Sequence, residues 1–306
     1  MPGPSESFVR VLPAVAAALQ SGRAVVALES SVLAQGLPIP ENREACERMV
    51  GAVVGGGGTP AITAVVRGKP AVGIEADELE RFLRRDGIRK VSGRDIPAAI
   101  AKRIDGATTV AGSLVLAHYA GIDVFATGGI GGVHRDVAFD ESADLIELSR
   151  TPMVVVCAGA KSILDLRATS ERLETLGVPV VGYRTDELPG FYYASTGIRL
   201  DTCVDQVDEI IDLVRAHRSL DRRQSILVVQ PPPEESALDR RTIEGAVDLA
   251  QQQSRRDQIA GGSVTPYLLD ALNRLTGGSS LRANLALLER NAALATEIAV
   301  GLVRRE

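Results

Sequence analysis

The sequence predicts an α/β fold: a mixed, mostly parallel sheet flanked by helices in α/β/α layers, with a helical C-terminal part. Three observations carry this. Short runs of Val, Ile and Ala recur between helical stretches. Those runs are nearly continuous rather than alternating, as in strands buried on both faces under covering helices. From Glu234 onward the pattern is helical only.

The elements follow in order. "FVRVLPAVAAALQSG" contains an apolar stretch with a single basic residue, Arg10, and Pro13 interrupts it; it reads as a first helix, not a signal peptide. "AVVAL" (24–28) is a strand. A helix near 41–54 ends at the glycine run Gly55 to Gly58. "PAITAVVRGKPAVGI" (60–74) reads as a hairpin with Gly68 in its turn. Helices are expected near 76–85, 94–103 and 109–120. Strands are expected at "IDVFAT" (122–127), "MVVVCAG" (153–159), "PVVGYR" (179–184) and "SILVVQ" (225–230), with helices between the second and third of these and again after the third. No linker, repeat or low-complexity tract divides residues 1–306, so one domain is expected.

Composition narrows the function classes. Lys plus Arg number 34 against 39 Asp plus Glu, a net charge of −5, with no Trp and 3% aromatic residues. A nucleic-acid surface needs a basic stripe and stacking platforms. The doublets Arg222–Arg223, Arg240–Arg241 and Arg255–Arg256 lie among acids and read as solvated faces. Cys46, Cys157 and Cys203 are far apart and lack metal spacing, which fits a reduced cytoplasmic compartment. No apolar run is long enough to span a bilayer.

In open α/β sheets, ligands bind beyond the carboxyl ends of the strands. Glu29 ends the first strand, in "ESSVLAQGLPIPEN". It is either a carboxylate capping a loop or a general acid in a partly buried site. "TGGIGGVHRD" carries Thr127, His134 and Arg135. Its glycines let backbone N–H groups approach an anion, which suggests a ligand loop; the alternative is a tight loop that needs positive φ. His134 replaces the third glycine of a dinucleotide fingerprint, and Ala160 replaces the glycine a P-loop needs before its lysine. "FDESAD" (139–144) offers oxygen ligands for Mg²⁺ or Mn²⁺. Its spacing alone favours the simpler reading, a helix start capped by Ser142 or Asp140. Lys90, in "IRKVSGRD", reads alone as a surface lysine, and Asn284 and Asn291 as helix amides. Lys161, in "CAGAKSILD", is the sharpest candidate. It follows a strand, stands among small residues and precedes a helix start. A lysine in an apolar pocket, or beside another cation, becomes a nucleophile able to form a Schiff base; the simpler reading is a lysine that binds an anion at a helix start.

Together these segments resemble the pseudouridine-5′-phosphate glycosidase family. The resemblance spans roughly residues 8–303 and is carried in order by "ALESSVLAQGLPIPEN", "VSGRDIP", "GATTVAGSLVLA", "FATGGIGGVHR", "SADLIELS", "VVCAGAKSILD", "TDELPGFY" and "LTGGSSLRANLALLERNA". The loop between Arg135 and Asp140 is a departure, being short. The resemblance implies reversible cleavage of pseudouridine 5′-phosphate to uracil and ribose 5-phosphate. It implies Lys161 as the nucleophile at C1′, with its small neighbours leaving room for the sugar, and Glu29 as the proton donor. Asp140 is implied as ligand to Mn²⁺ or another divalent ion, overriding the spacing-only reading. Lys90, Val110, Ser142, Ala143 and Asp144 are implied as substrate contacts, Val110 through its backbone; Lys90 would also supply a second cation near Lys161. Thr127, His134 and Asn284 are site candidates by position and motif. A homotrimer is implied. Two rival readings are a Schiff-base aldolase acting on another sugar phosphate and a non-catalytic sugar-phosphate sensor.

Overall fold

The computed structural model describes residues 8–135, 139–259, 261 and 264–304. Part of the short loop after Arg135, residues 136–138, lies outside them.

The strands are β1 (Arg10–Val11), β2 (Val25–Glu29), β3 (Thr59–Val66), β4 (Lys69–Val72), β5 (Arg89–Val91), β6 (Gly106–Thr108), β7 (Val124–Ala126), β8 (Val133–His134), β9 (Val154–Cys157), β10 (Leu164–Asp165), β11 (Val180–Tyr183), β12 (Thr202–Val204) and β13 (Ile226–Val229). Eleven share one sheet, in the order β1-β4-β3-β2-β7-β9-β13-β11-β12, with β6 pairing β3 and β5. From β3 through β12 along that path every neighbouring pair is parallel. The antiparallel pairs are β3–β4 and β3–β6. The mixed, mostly parallel sheet expected from the sequence is therefore present.

The apolar runs form the centre of this sheet. Val26, Ala27 and Leu28 of β2 and Val155, Val156 and Cys157 of β9 have no exposed surface. Burying a Val or Leu side chain stabilises by about 1.5–3 kcal/mol, so a polar residue in these strands would be costly. The expected hairpin is β3–β4. Arg67 and Gly68, at φ 50° and 79°, form its two-residue turn, and two positive φ values match the right-handed twist of the flanking strands.

The helices are α1 (Pro13–Gln20), α2 (Glu41–Gly55), α3 (Ala76–Arg84), α4 (Ile96–Ala101), α5 (Val110–Tyr119), α6 (Ala143–Leu148), α7 (Leu166–Thr175), α8 (Val207–Ser219), α9 (Arg240–Arg256), α10 (Val264–Leu275) and α11 (Ser279–Arg304). Pro13 starts α1 rather than interrupting it; its missing N–H is no loss in a first turn. The helix expected over 94–103 is a 3₁₀ turn (Gly93–Asp95) followed by the short α4. Lys161 does not sit at a helix start, because β10 intervenes before α7. α11 packs across β2, β7 and β9 and against α2, and buries most of one face. Asn284 and Asn291, two turns apart, lie on that buried face. Among the described residues no helix is long and apolar enough to cross a membrane.

Candidate active site

Glu29 is the last residue of β2, Thr127 directly follows β7, and Lys161 lies four residues beyond β9. These strands are adjacent and parallel, so their carboxyl ends deliver the three residues to one edge of the sheet. A cleft of about 610 Å³ opens there. Glu29, Lys90, Val110, His134, Asp140, Ser142, Ala143, Asp144, Lys161 and Asn284 all line it. Thr127 is the one candidate that does not; it is wholly buried, behind Glu29.

Glu29 is 5% exposed. A buried carboxylate is costly unless hydrogen-bonded. Both of its oxygens accept: Ser31 Oγ donates to Oε2 at 2.6 Å, and Thr127 Oγ1 donates to Oε1 at 2.5 Å. Beneath them, Ser30, Thr63, Thr108 and Ser113 form a buried hydroxyl cluster that ties β2, β3, β6 and α5 together. The end of β2 is thus held from below as well as from its sides.

The backbone of Lys161 is pinned. Its amide donates to the Ile130 carbonyl at 3.1 Å, and its carbonyl accepts from Leu164 at 3.0 Å. One small residue beside it, Gly159, is required by the fold itself. Gly159 has φ 85°, and a Cβ there would run into the Pro189 carbonyl. Gly129 lies against the Phe191 ring, where a Cβ would come within 2.6 Å. Close backbone approach, not room for a sugar, therefore explains Gly159.

Lys90 stands on β5, a strand too short and too charged to be read from sequence. It keeps access to solvent, yet enough protein surrounds its amine that burial lowers its pKa. The Lys161 charge lowers it further, against the opposing pull of Asp144 and Glu29. The two lysines thus share one electrostatic environment. His134 lies on β8, which pairs with β10 and so stands beside the segment following Lys161. Burial pushes its pKa down; Asp140 opposes this, and the charges of Lys90 and Lys161 add to it, leaving the neutral ring favoured.

The "FDESAD" segment divides its work. Ser142 caps α6, its hydroxyl accepting from the Asp144 amide at 3.2 Å. Asp144 is buried and bridges two elements: Oδ1 accepts from the Ala111 amide and Oδ2 from the Gly131 amide, each at 2.9 Å. This carboxylate joins the first turn of α5, beside Val110, to the glycine loop. Glu141 pairs with Arg172 at 2.9 Å. Asp140 is exposed on the cleft wall, and no hydrogen bond or ion pair engages its carboxylate among the described residues. Those residues hold no group of three or more His, Cys, Asp or Glu able to form a metal cage. A lone, open carboxylate fits a hydrated hard cation that takes one or two protein oxygens and otherwise water. It does not fit a closed site.

The structure adds residues that the motifs did not reveal. Ser31, within "ESS", carries no motif of its own. Asn291 Nδ2 donates to the Thr127 carbonyl at 2.8 Å, while its Oδ1 accepts from Gln230 at 3.0 Å. An amide two turns from Asn284 on an apolar helix was the available signal. Asn284 Oδ1 is buried and has no hydrogen-bond partner among the described residues. Arg135 points away from the cleft; it donates to the Leu164 and Ser162 carbonyls and to Glu244. Arg240, read as a solvated face, lies over Tyr193 and donates to the Thr196 carbonyl.

The family model described as "Indigoidine synthase A like protein" matches residues 14–301. The chain belongs to this family. Curated relatives are enzymes named pseudouridine-5′-phosphate glycosidase. The one from Gemmatimonas aurantiaca is 59% identical, with 96% of each chain covered. The one from Herpetosiphon aurantiacus is 48% identical over 95% of this chain and 96% of the relative. Among solved structures, the prealnumycin C-glycosynthase AlnA, in complex with ribulose 5-phosphate, superposes with a TM-score of 0.90 at 40% identity over 98% of each chain. An indigoidine synthase A-like protein from Thermotoga maritima gives 0.89 at 36% identity, over 99% of this chain and 100% of the other. The indigoidine synthase A-like fold thus matches across the whole sheet and its helices, and this chain is an enzyme of that family.

Proposed function

We propose that the chain catalyses reversible cleavage of the C1′–C5 bond of pseudouridine 5′-phosphate, giving uracil and ribose 5-phosphate, in pseudouridine catabolism. The observation that carries the reading is the meeting of Glu29 and Lys161 in one cleft, delivered there by strands of the parallel sheet. The relatives' names support the substrate, and the sugar phosphate bound by AlnA supports a five-carbon phosphate ligand for this cleft.

The bond broken is carbon to carbon, so the carboxylate pair of an ordinary glycosidase does not suffice. Lys161 Nζ, as the free amine, bonds to C1′ as the C1′–O4′ bond breaks, and the proton shed by the resulting ammonium goes to O4′. Glu29 delivers a proton to C5 of the base. The lone pair on the lysine nitrogen then forms the C1′ iminium while the C1′–C5 electrons return to the C5=C6 double bond, freeing uracil. Water hydrolyses the iminium, restoring Lys161 and releasing ribose 5-phosphate. Lys90 shares the charge environment of Lys161 and faces the same ligand. The unpartnered Oδ1 of Asn284 accepts an N–H of the uracil ring. Val110 and the glycine loop line the cleft and contact the substrate, while the Ala111 and Gly131 amides stay engaged by Asp144.

Asp140 would hold a divalent cation, Mn²⁺ by preference, and such an ion would supply positive charge to substrate oxygens. The assembly proposed with this reading is a cytoplasmic homotrimer, which light scattering tests. Purified protein incubated with pseudouridine 5′-phosphate and Mn²⁺ should release free uracil. Absence of uracil, with ribose 5-phosphate and uracil also failing to condense, contradicts the reading.

A further inference from the structure

We infer that Thr127 is a positioning residue for Glu29: anchored through its backbone by Asn291, it fixes one carboxyl oxygen in the interior and leaves the other, on the Ser31 side, to carry the proton. The inference rests on Glu29 being the proton carrier.

The two oxygens of Glu29 have unequal surroundings. Oε1 receives its hydrogen bond from Thr127, which has no exposed surface and does not reach the cleft. Oε2 receives its bond from Ser31, which lines the cleft. A hydroxyl that must reverse from donor to acceptor when its partner gains a proton needs room to turn, or another partner. Ser31 faces the cleft and has that room. Thr127 is enclosed, and the γ-methyl beside its hydroxyl leaves few rotamers. The proton therefore resides on Oε2, and Thr127 donates to Oε1 in both states.

The backbone of Thr127 is fixed to match. Its N–H donates to the Val156 carbonyl at 3.0 Å, extending the β7–β9 pairing by one residue. Its carbonyl accepts from Asn291, whose own amide is oriented by Gln230. Gln230 accepts in turn from Arg290 Nε at 3.2 Å. A chain of side-chain amides thus runs from α11 to the proton-carrying carboxyl. None of Thr127, Asn291 or Gln230 lines the cleft, so none contacts the substrate.

The test is a double-mutant cycle. Thr127→Val keeps the shape and removes the hydroxyl; it should lower kcat about 10- to 100-fold, the usual worth of a hydrogen bond to a charged group. KM should hold within about twofold, and Thr127→Ser should restore kcat. On a Glu29→Gln background the same Thr127→Val change should cost less than about twofold, because both act through one group. Capture of ribose 5-phosphate on Lys161 by borohydride needs no proton at C5, so it should persist in Thr127→Val and shows that the variant is folded. If capture is lost, Thr127→Ala takes its place. An unchanged kcat, a raised KM at constant kcat, or an equal loss on both backgrounds overturns the inference. Near wild-type turnover by Glu29→Gln alone removes instead the proton-carrier reading on which it rests.

Discussion

Asn291 Nδ2 donates to the Thr127 carbonyl at 2.8 Å, joining the buried face of α11 to the end of β7 across 164 positions of sequence. The amide also satisfies Gln230, so its removal strands polar groups on both sides in the interior. Each buried group left unpaired costs about 1–3 kcal/mol. Asn291→Leu should therefore lower unfolding free energy by roughly that amount or more and should also slow turnover. Urea unfolding read beside kcat checks this; a variant unchanged in both contradicts the anchoring role.

Glu29→Gln is nearly isosteric but has no proton to give. General acid–base groups contribute about 10²–10⁴-fold, and turnover should fall by that order. Ligand binding followed by calorimetry should stay close to wild type, since the amide retains an oxygen and its hydroxyl partners remain. Turnover near wild type would reassign Glu29 to holding the end of β2.

Much of this site was legible in the sequence because β2, β7 and β9 are buried on both faces, and burial leaves only apolar residues until the strand ends. The first polar residues afterwards, Glu29, Thr127 and Lys161, then mark the edge of the sheet. β1, β5, β6 and β12 were not legible. They have two or three residues each, and sheet pairing rather than local pattern makes them strands. Lys90 was therefore read alone as a surface lysine. Gly159 was legible as special but not for the right reason: sequence shows a small residue, whereas only the fold shows the Pro189 carbonyl against it. The turn in "VVRGKP" was read correctly because the sequence of a two-residue hairpin turn is dictated locally.

The open carboxylate of Asp140 makes a separate prediction. Mn²⁺ binding followed by electron paramagnetic resonance should be lost in Asp140→Asn, and chelation should stop turnover while leaving the unfolding curve in place. One exposed carboxylate contributes little to a core of this size. Full activity after thorough chelation would remove the metal from the mechanism.

Stability should depend on pH through Glu78 of α3, which grips Arg10 of β1 with Nη1 to Oε1 at 2.8 Å and Nη2 to Oε2 at 2.6 Å. Burial alone would raise its pKa. The hydrogen bonds from Arg10 and the Glu75 amide outweigh burial and hold the carboxyl below its ordinary value. A carboxyl depressed in the folded state adds stability above its unfolded pKa and loses it as pH falls through the folded one. Wild type should exceed Glu78→Gln in stability near neutral pH, and the gap should close as pH drops below the ordinary Glu value of about 4.3. A gap independent of pH would contradict the assignment.

The central claim is a covalent bond between Lys161 and C1′. The most direct measurement is borohydride reduction of the protein in the presence of ribose 5-phosphate, followed by peptide mass mapping. The expected result is one added ribose phosphate, reduced and attached to Lys161. It should be absent in Lys161→Ala, and also in Lys161→Arg, whose guanidinium keeps its proton. An adduct mapped to Lys90 would exchange the two lysines' roles. No adduct at any pH, in protein that still releases uracil from pseudouridine 5′-phosphate, would contradict covalent catalysis by lysine.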